Sequence, residues 1–235
     1  MSNAAEIKVL ASGGFRSAYL DLIPEFERSS GHKVVSTWGG SMGSAPTTIP
    51  NRMQRGEATD VVIMAGAGLD DLIGQGKVAS GSRVDLARST IGIAVRAGAP
   101  KPDIGSVAAV KQALTQAKSV AFSSSASGVY LIGLFERMGI GDAMKSKSRQ
   151  VSGEPVAAVV ARGEAEIGFQ QISELLPVKG IDYVGLLPAE IQEVTVFFAG
   201  IATNAVQAEA ARALIKYLSA PAAAAVIKKS GMEPF

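Results

Sequence analysis

The chain of 235 residues has no cysteine, one histidine and one tryptophan. Without thiols there are no disulfides, no thiolate nucleophile and no Cys-based zinc or iron–sulfur centre. With His32 alone, multi-histidine metal sites are excluded too. Aromatic residues make up only 6% of the chain and no block of Lys or Arg occurs. The stacking platforms and basic stripes of nucleic-acid binders are therefore missing. No apolar run approaches the roughly 20 residues that a membrane-spanning helix needs, so no membrane insertion is expected. The 23 Lys and Arg against 21 Asp and Glu leave a net charge of +2, too small for a basic face. What is present is a chain 47% apolar and 19% charged, which rules out disorder and has the length for one large or two small domains. Its chemistry must come from backbone amides, hydroxyls, side-chain amides, carboxylates and guanidinium groups, with no metal and no cofactor implied.

Met1-Ser2-Asn3-Ala4 carries neither a charged nor an apolar leader region and reads as an expression remnant standing where a leader was removed. Thereafter strand and helix patterns alternate. Ile7–Ala11 is a β-rich run that gives way at Ser12-Gly13-Gly14 to a helix with apolar residues Phe15, Tyr19, Leu22, Ile23 and Phe26 at helical spacing. Gly31 ends it, and Lys33–Trp38 is the next strand. The turn Gly39–Ser44 leads to a helix expected from about Ala45 to Gly56, interrupted by Pro50. Asp60–Ala65 reads as a strand covered on both faces, followed by a helix bearing Leu69, Leu72 and Ile73.

Ser89–Val95 is a longer strand leaving this first segment. Val107–Ala117, Val120–Ser123, Gly128–Met138, Val156–Arg162 and Glu166–Phe169 repeat the helix–strand alternation. Val194–Ala202 is a second long strand, and Gln207–Leu218 and Ala222–Lys229 are Ala-rich helices, the last starting behind Pro221. The expected fold is α/β with two lobes, each a mainly parallel sheet flanked by helices, and a ligand cleft between them. Residues 5–83 and 195–235 would form the first lobe and residues 84–194 the second.

In open α/β sheets ligands sit beyond the carboxyl ends of the strands, where helix N-termini offer unpaired N–H groups. Three such turns here are small and hydroxylic: Ser12-Gly13-Gly14, Gly39-Gly40-Ser41-Met42-Gly43-Ser44 and Ser123-Ser124-Ser125-Ala126-Ser127-Gly128. Ser and Gly cap helices in most proteins, so one turn says little; three in one chain point to an anion held without a metal. Arg16 follows the first turn and could grip a planar carboxylate with two N–H groups, or stand solvated at the surface. Gln170 and Gln171 end the strand after Glu166, where at least one is expected to be exposed. Glu154-Pro155-Val156 places Pro at a helix start, with Glu154 as the expected N-cap. Glu154 then either serves the helix dipole or lies beside the ligand as a general base.

Two motif matches fail. Gly39-Gly40-Ser41-Met42-Gly43 fits the G-x-S-x-G nucleophile elbow, but the histidine base of that chemistry follows the serine, and His32 precedes it. Ser30-Gly31-His32-Lys33 fits S-x-x-K without its companion motifs, and Gly66-Ala67-Gly68 lacks the rest of a dinucleotide fingerprint. His32 is expected to be a surface residue.

The segments Glu25–Val34, Gly39-Gly40-Ser41 and Ala58–Ile63, with Glu154-Pro155-Val156 and Arg162–Gly168, resemble class II periplasmic solute-binding proteins, and among them the molybdate-binding branch. The resemblance covers nearly the whole chain. It implies a periplasmic location, closure of two lobes on a ligand and, usually, delivery to an ABC permease. In molybdate binders a serine of the first turn, a serine of the second, amides of the second lobe and a tyrosine after the penultimate strand hold the oxyanion. Ser12, Ser41, the Ser124, Ser125 and Ser127 turn and Val156 fall at the matching positions, with Gly13 and Gly40 beside the two serines. Gln170-Gln171 stand where the tyrosine is expected and Arg16 is an added cation, a set suited to a larger carboxylated ligand.

Ala11–Tyr19 and Ser123–Tyr130 also look like the catalytic branch of this fold, the aconitate isomerases. That likeness implies an allylic proton shift between trans- and cis-aconitate, with Glu154, Tyr130 and Tyr19 as candidate proton carriers. Three function classes follow: an enzyme or binder for a tricarboxylate, a non-catalytic transport receptor for molybdate or a similar oxyanion, and a sensory or structural domain with a vestigial cleft.

Overall fold

A computed structural model describes residues 4–235; Met1-Ser2-Asn3, on which most of the expected expression remnant falls, lie outside the described residues. The elements run β1 (Glu6–Ser12), α1 (Arg16–Ser30), β2 (Lys33–Gly39), α2 (Ile49–Gln54), β3 (Val61–Ala65), α3 (Gly66–Gly74), β4 (Val84–Arg96), α4 (Val107–Gln116), β5 (Val120–Ser123), α5 (Ala126–Arg137), α6 (Gly141–Lys145), β6 (Ser148–Val151), α7 (Val156–Ala161), β7 (Ile167–Gln171), α8 (Ile172–Leu175), β8 (Ile181–Leu186), β9 (Val194–Ile201), α9 (Ala208–Leu218), α10 (Ala224–Lys229) and β10 (Glu233–Pro234). A 3₁₀ turn, Gly13–Phe15, joins β1 to α1. The chain divides into two units, residues 1–89 with 195–235, and residues 90–194.

In the first unit β1 lies between β2 and β3, parallel to both, and β9 adds to β3 in the antiparallel sense. This is the expected mainly parallel α/β sheet, closed on one side by a strand from the far end of the sequence. The register pairs Ser12 with Gly39 and Ala11 with Trp38 and Ile63, which brings the carboxyl ends of three strands level. Leu10, Val62, Met64 and Phe198 of the strands pack with Ile49 of α2 and with Leu69 and Leu72 of α3. On α1 the i, i+3, i+4 pattern buries Ala18, Tyr19, Leu22, Ile23 and Phe26, and Phe26 meets Tyr217 of α9 at 5.4 Å between ring centres. Gly31 ends α1 in the left-handed conformation, at φ 74°, where a side chain would be strained.

His32 is not at the surface. It is 7% exposed, its Nδ1 accepts the Ala5 N–H at 3.2 Å, and its ring lies against Phe26. β2 starts at the next residue and pairs with β1, so the residue before it is drawn in with the strand. The second helix is also shorter than expected. It begins at Ile49 with Pro50 in its first turn, where the missing N–H costs nothing, so the proline starts the helix and does not interrupt it.

In the second unit β5 runs between β6 and β7, parallel to both; β4 is antiparallel to β7, and β8 is antiparallel to β4 on its other side. Ile93, Val120, Phe122, Leu131, Phe135 and Phe169 form the centre of its core. Gln192 closes the ends of this unit: its Oε1 accepts the Ile91 N–H at 2.9 Å and its Nε2 donates to the Ile91 carbonyl at 3.0 Å. Among the described residues no single helix is long and apolar enough to cross a membrane.

Candidate functional site

In the first unit three strand ends carry the small residues singled out by the sequence. Ser12 closes β1 and is 5% exposed, and Gly13 opens the 3₁₀ turn that follows. The Gly40 carbonyl accepts the Ile49 N–H at 2.9 Å, which folds the segment after β2 back on itself. Ser41 is 1% exposed and its Oγ accepts the Ala65 N–H at 2.9 Å, tying the end of β2 to the end of β3. One serine hydroxyl of this set thus braces the corner, while the Ser12 hydroxyl and the guanidinium of exposed Arg16 have no hydrogen-bond or ion-pair partner among the described residues. The Arg16 guanidinium lies 4.8 Å from the centre of the Trp38 ring.

Tyr19 does not fit the role of proton carrier. Its side chain is 1% exposed, its hydroxyl is 2.7 Å from Ser36 Oγ, and burial raises its pKa well above the ordinary phenol value. A buried phenol of that kind stays neutral and is a poor base.

In the second unit Ser123 ends β5, and its Oγ is 3.1 Å from Ser127 Oγ and accepts the Ser125 N–H at 3.2 Å. The Ser124 N–H donates to the Val151 carbonyl at the end of β6, while the Ser124 hydroxyl has no partner among the described residues. A Cβ on Gly128 would sit 1.6 Å from the Ser123 carbonyl oxygen, so only glycine lets the first turn of α5 come this close to the end of β5. One step beyond the last paired residues, Phe122 and Phe169, come Ser123 and Gln170. Gln170 Oε1 accepts the Val156 N–H at 2.8 Å. Gln170 and Gln171 are each 3% exposed, so neither is at the surface; both pair with β4, opposite Gly92 and Ile91, and are covered on the strand.

Glu154 is not the N-cap of α7. Pro155 takes that position, and Glu154 turns back to Arg162, whose Nη1 and Nη2 donate to its two carboxylate oxygens at 2.9 and 3.1 Å. Arg162 also pairs with Glu164, which Arg149 reaches from its other side. The hydrogen bonds from Arg162 hold Glu154 below the usual carboxylate range and, with those from Arg149, bring Glu164 to about 2. An ion-paired carboxylate of lowered pKa is a weak base. Tyr130 is also committed: its hydroxyl donates to the Ile191 carbonyl at 2.9 Å and the Arg137 guanidinium lies over its ring.

Glu174 was not among the residues read from the sequence. It lies in α8, directly after β7, and no cation stands within ion-pair distance of it among the described residues. The α7 and β7 segments that meet α8 contain no titratable residue, and Tyr183 of β8 packs against the cluster that Leu175 joins. Burial therefore pushes its carboxyl up to about 7, with the adjacent Gln170 side chain acting the other way by hydrogen bonding to the ionised form. A lone Glu in Ile172-Ser173-Glu174-Leu175 carries no motif; its setting becomes visible only once β7 and α7 meet. No group of three or more His, Asp or Glu among the described residues could hold a metal ion.

A family model described as bacterial extracellular solute-binding protein matches residues 7–233. The chain belongs to this family. It is 48% identical over 229 residues to the aconitate isomerase of a Pseudomonas species, covering 97% of this chain and 87% of that protein. It is 28% identical to the molybdate-binding protein of Azotobacter vinelandii, over 98% of this chain and 90% of that one. The solved periplasmic molybdate-binding protein of the same organism superposes with a TM-score of 0.79 at 22% identity, covering 96% of this chain and 98% of that structure. That likeness establishes the fold: the family's α/β architecture, with flanked mainly parallel sheets.

Proposed function

We propose that this protein binds aconitate and interconverts its trans and cis isomers. The observation that carries the reading is the 48% identity, over nearly the whole chain, to an aconitate isomerase. The open donors at the strand ends support it. In the first unit an arginine without a carboxylate partner and a Ser12 hydroxyl without a hydrogen-bond partner, and in the second a Ser124 hydroxyl without one, all among the described residues, are donors of the kind that suits a carboxylate. Membership of an extracellular family supports action outside the cytoplasm, and the periplasm is the finer location.

The isomerisation is an allylic proton shift. A base takes a proton from the methylene next to a carboxylate, the electron pair spreads over the allyl system, and the proton returns at its other end, with no net change in protons. Cationic and N–H donors at the carboxylates stabilise the delocalised carbanion. Glu174 is our candidate for the base: it stands in α8 directly after β7, close to Gln170, and burial raises its carboxyl toward the range in which a general base works at neutral pH. Glu154, Tyr130 and Tyr19 are each tied up within the chain.

A second reading has one observation in its favour, the 28% identity to a molybdate-binding protein: a non-catalytic receptor handing molybdate or a similar oxyanion to an ABC permease. Incubating the protein with trans-aconitate and resolving the isomers chromatographically decides between them. Appearance of cis-aconitate, together with thermal stabilisation by aconitate, supports the enzyme; a ligand at about 100 times its Kd adds roughly 2.7 kcal/mol. Stabilisation by molybdate and none by aconitate overturns it. Stabilisation by aconitate without product leaves a binding protein only.

A further inference from the structure

The one tryptophan of the chain stands where Arg16 needs support. Trp38 is the penultimate residue of β2, level with Ala11 in the register, one step before the corner formed by Ser12 and Gly39. Its indole face lies under the Arg16 guanidinium, at 4.8 Å from ring centre to Cζ. The ring is itself held. Tyr19, one helical turn after Arg16 on α1, meets it edge-on at 5.4 Å and 89°. The Tyr19 hydroxyl is fixed 2.7 Å from Ser36 Oγ, and Ser36 is two residues before Trp38 and so on the same face of β2. Ser36, Tyr19, Trp38 and Arg16 form one ordered stack running from the buried face of α1 to an exposed guanidinium.

A guanidinium resting on an aromatic face keeps its edge N–H groups free, and that edge is what grips a carboxylate through two parallel hydrogen bonds. An unsupported arginine at the same exposed position would have to give up side-chain freedom on every binding event. Arg16 has no carboxylate partner among the described residues to order it in another way. We propose that Trp38 is a positioning residue for carboxylate recognition: its indole holds the Arg16 guanidinium ready for one carboxylate of the substrate. The inference rests on the aconitate reading and extends it to a residue that need not touch the substrate.

The test is a double-mutant cycle with aconitate, using Trp38→Leu, Trp38→Phe, Arg16→Ala and the Arg16→Ala/Trp38→Leu pair. Affinity comes from calorimetry, and KM and kcat from the isomer assay. Trp38→Leu should raise Kd and KM about tenfold while kcat changes less than threefold, and Trp38→Phe, which keeps a ring face, should recover most of that loss. In the Arg16→Ala background Trp38→Leu should cost nothing further, because the group it serves is gone. An equal loss with and without Arg16, or no loss at all, overturns the proposal.

Should Trp38→Leu fail to fold, the wild-type chain still decides the matter. Saturating aconitate should shift or quench the emission of Trp38 in wild type and leave it unchanged in Arg16→Ala at equal occupancy. Emission indifferent to ligand in both overturns the proposal. If wild type neither binds nor turns over aconitate, the functional reading has failed and takes this inference with it. If wild type does both and the cycle is additive, only the role of Trp38 falls.

Discussion

Asp60 shows how much one buried side chain can hold in place. It is 3% exposed, its Oδ2 accepts the Lys8 N–H at 2.8 Å and its Oδ1 the Gln207 N–H at 2.9 Å. One carboxylate thus joins β1 to the chain entering α9. Asp60→Ala should leave two N–H groups short of an acceptor and cost about 2–4 kcal/mol, since charged hydrogen bonds contribute more than neutral ones. Urea unfolding measures this, and a loss under 0.5 kcal/mol (well below the usual range for such a bond) would contradict it. Glu174 gives a prediction of opposite character. Its folded-state pKa of about 7 lies above the ordinary 4.5, so between those values the folded chain keeps a proton that the unfolded chain has lost. The stability it contributes is present in full below about pH 4.5 and is lost as the pH rises through 7. Glu174→Gln cannot ionise and should gain stability relative to wild type from pH 5 to pH 8, and it should lower kcat by about 100-fold or more if Glu174 moves the proton. Parallel stability curves would show that the carboxyl titrates normally, and a variant with full activity would remove it from the chemistry. Residue roles were the part least legible in the sequence. Arg16 and the serine corners could be read from their place after strands, but which hydroxyl braces and which stays open depends on partners far along the chain, as with Ser41 and Ala65.

Elements were more legible, and their misreadings have local causes. The strands β1, β3, β5 and β9 are apolar and mostly buried, and their patterns stand out. β6, with the sequence Ser-Arg-Gln-Val, is an edge strand with one buried residue, and β8 is an edge strand of half-covered residues, so neither has an apolar run to announce it. α8 is only four residues long and too short to show a period. The approach of α5 to β5 is an element-scale constraint that the sequence displays merely as a glycine. Gly128→Ala would drive a methyl into the Ser123 carbonyl, so the helix must shift. A loss of about 1–3 kcal/mol is expected, in the range of overpacking, together with weaker aconitate binding if the Ser124 hydroxyl serves the substrate. Wild-type stability and affinity in this variant, measured by urea titration and calorimetry, would mean that the helix start relaxes freely.

At the scale of the whole molecule the two units differ in how the chain builds them. Residues 90–194 are continuous, have their own core, and have their ends fastened by Gln192 to Ile91. The other unit is split, and β9, α9 and α10 reach it from the far end of the sequence. A fragment of residues 90–194 should therefore show helical circular dichroism and a cooperative urea transition, whereas residues 1–89 alone should show neither. Cooperative unfolding of the 1–89 fragment would contradict this. The division within β4, between Ser89 and Thr90, lies in one unbroken strand and has no mark in composition.

The split has a bearing on synthesis. As the polypeptide leaves the ribosome or a translocation pore, β1, β2 and β3 must wait, with the side of β3 that β9 will cover still bare, until the whole of the second unit has been made. The inserted unit can ripen meanwhile, so maturation runs from the middle outward, and the interval before the tail arrives is when a chaperone would have most to shield.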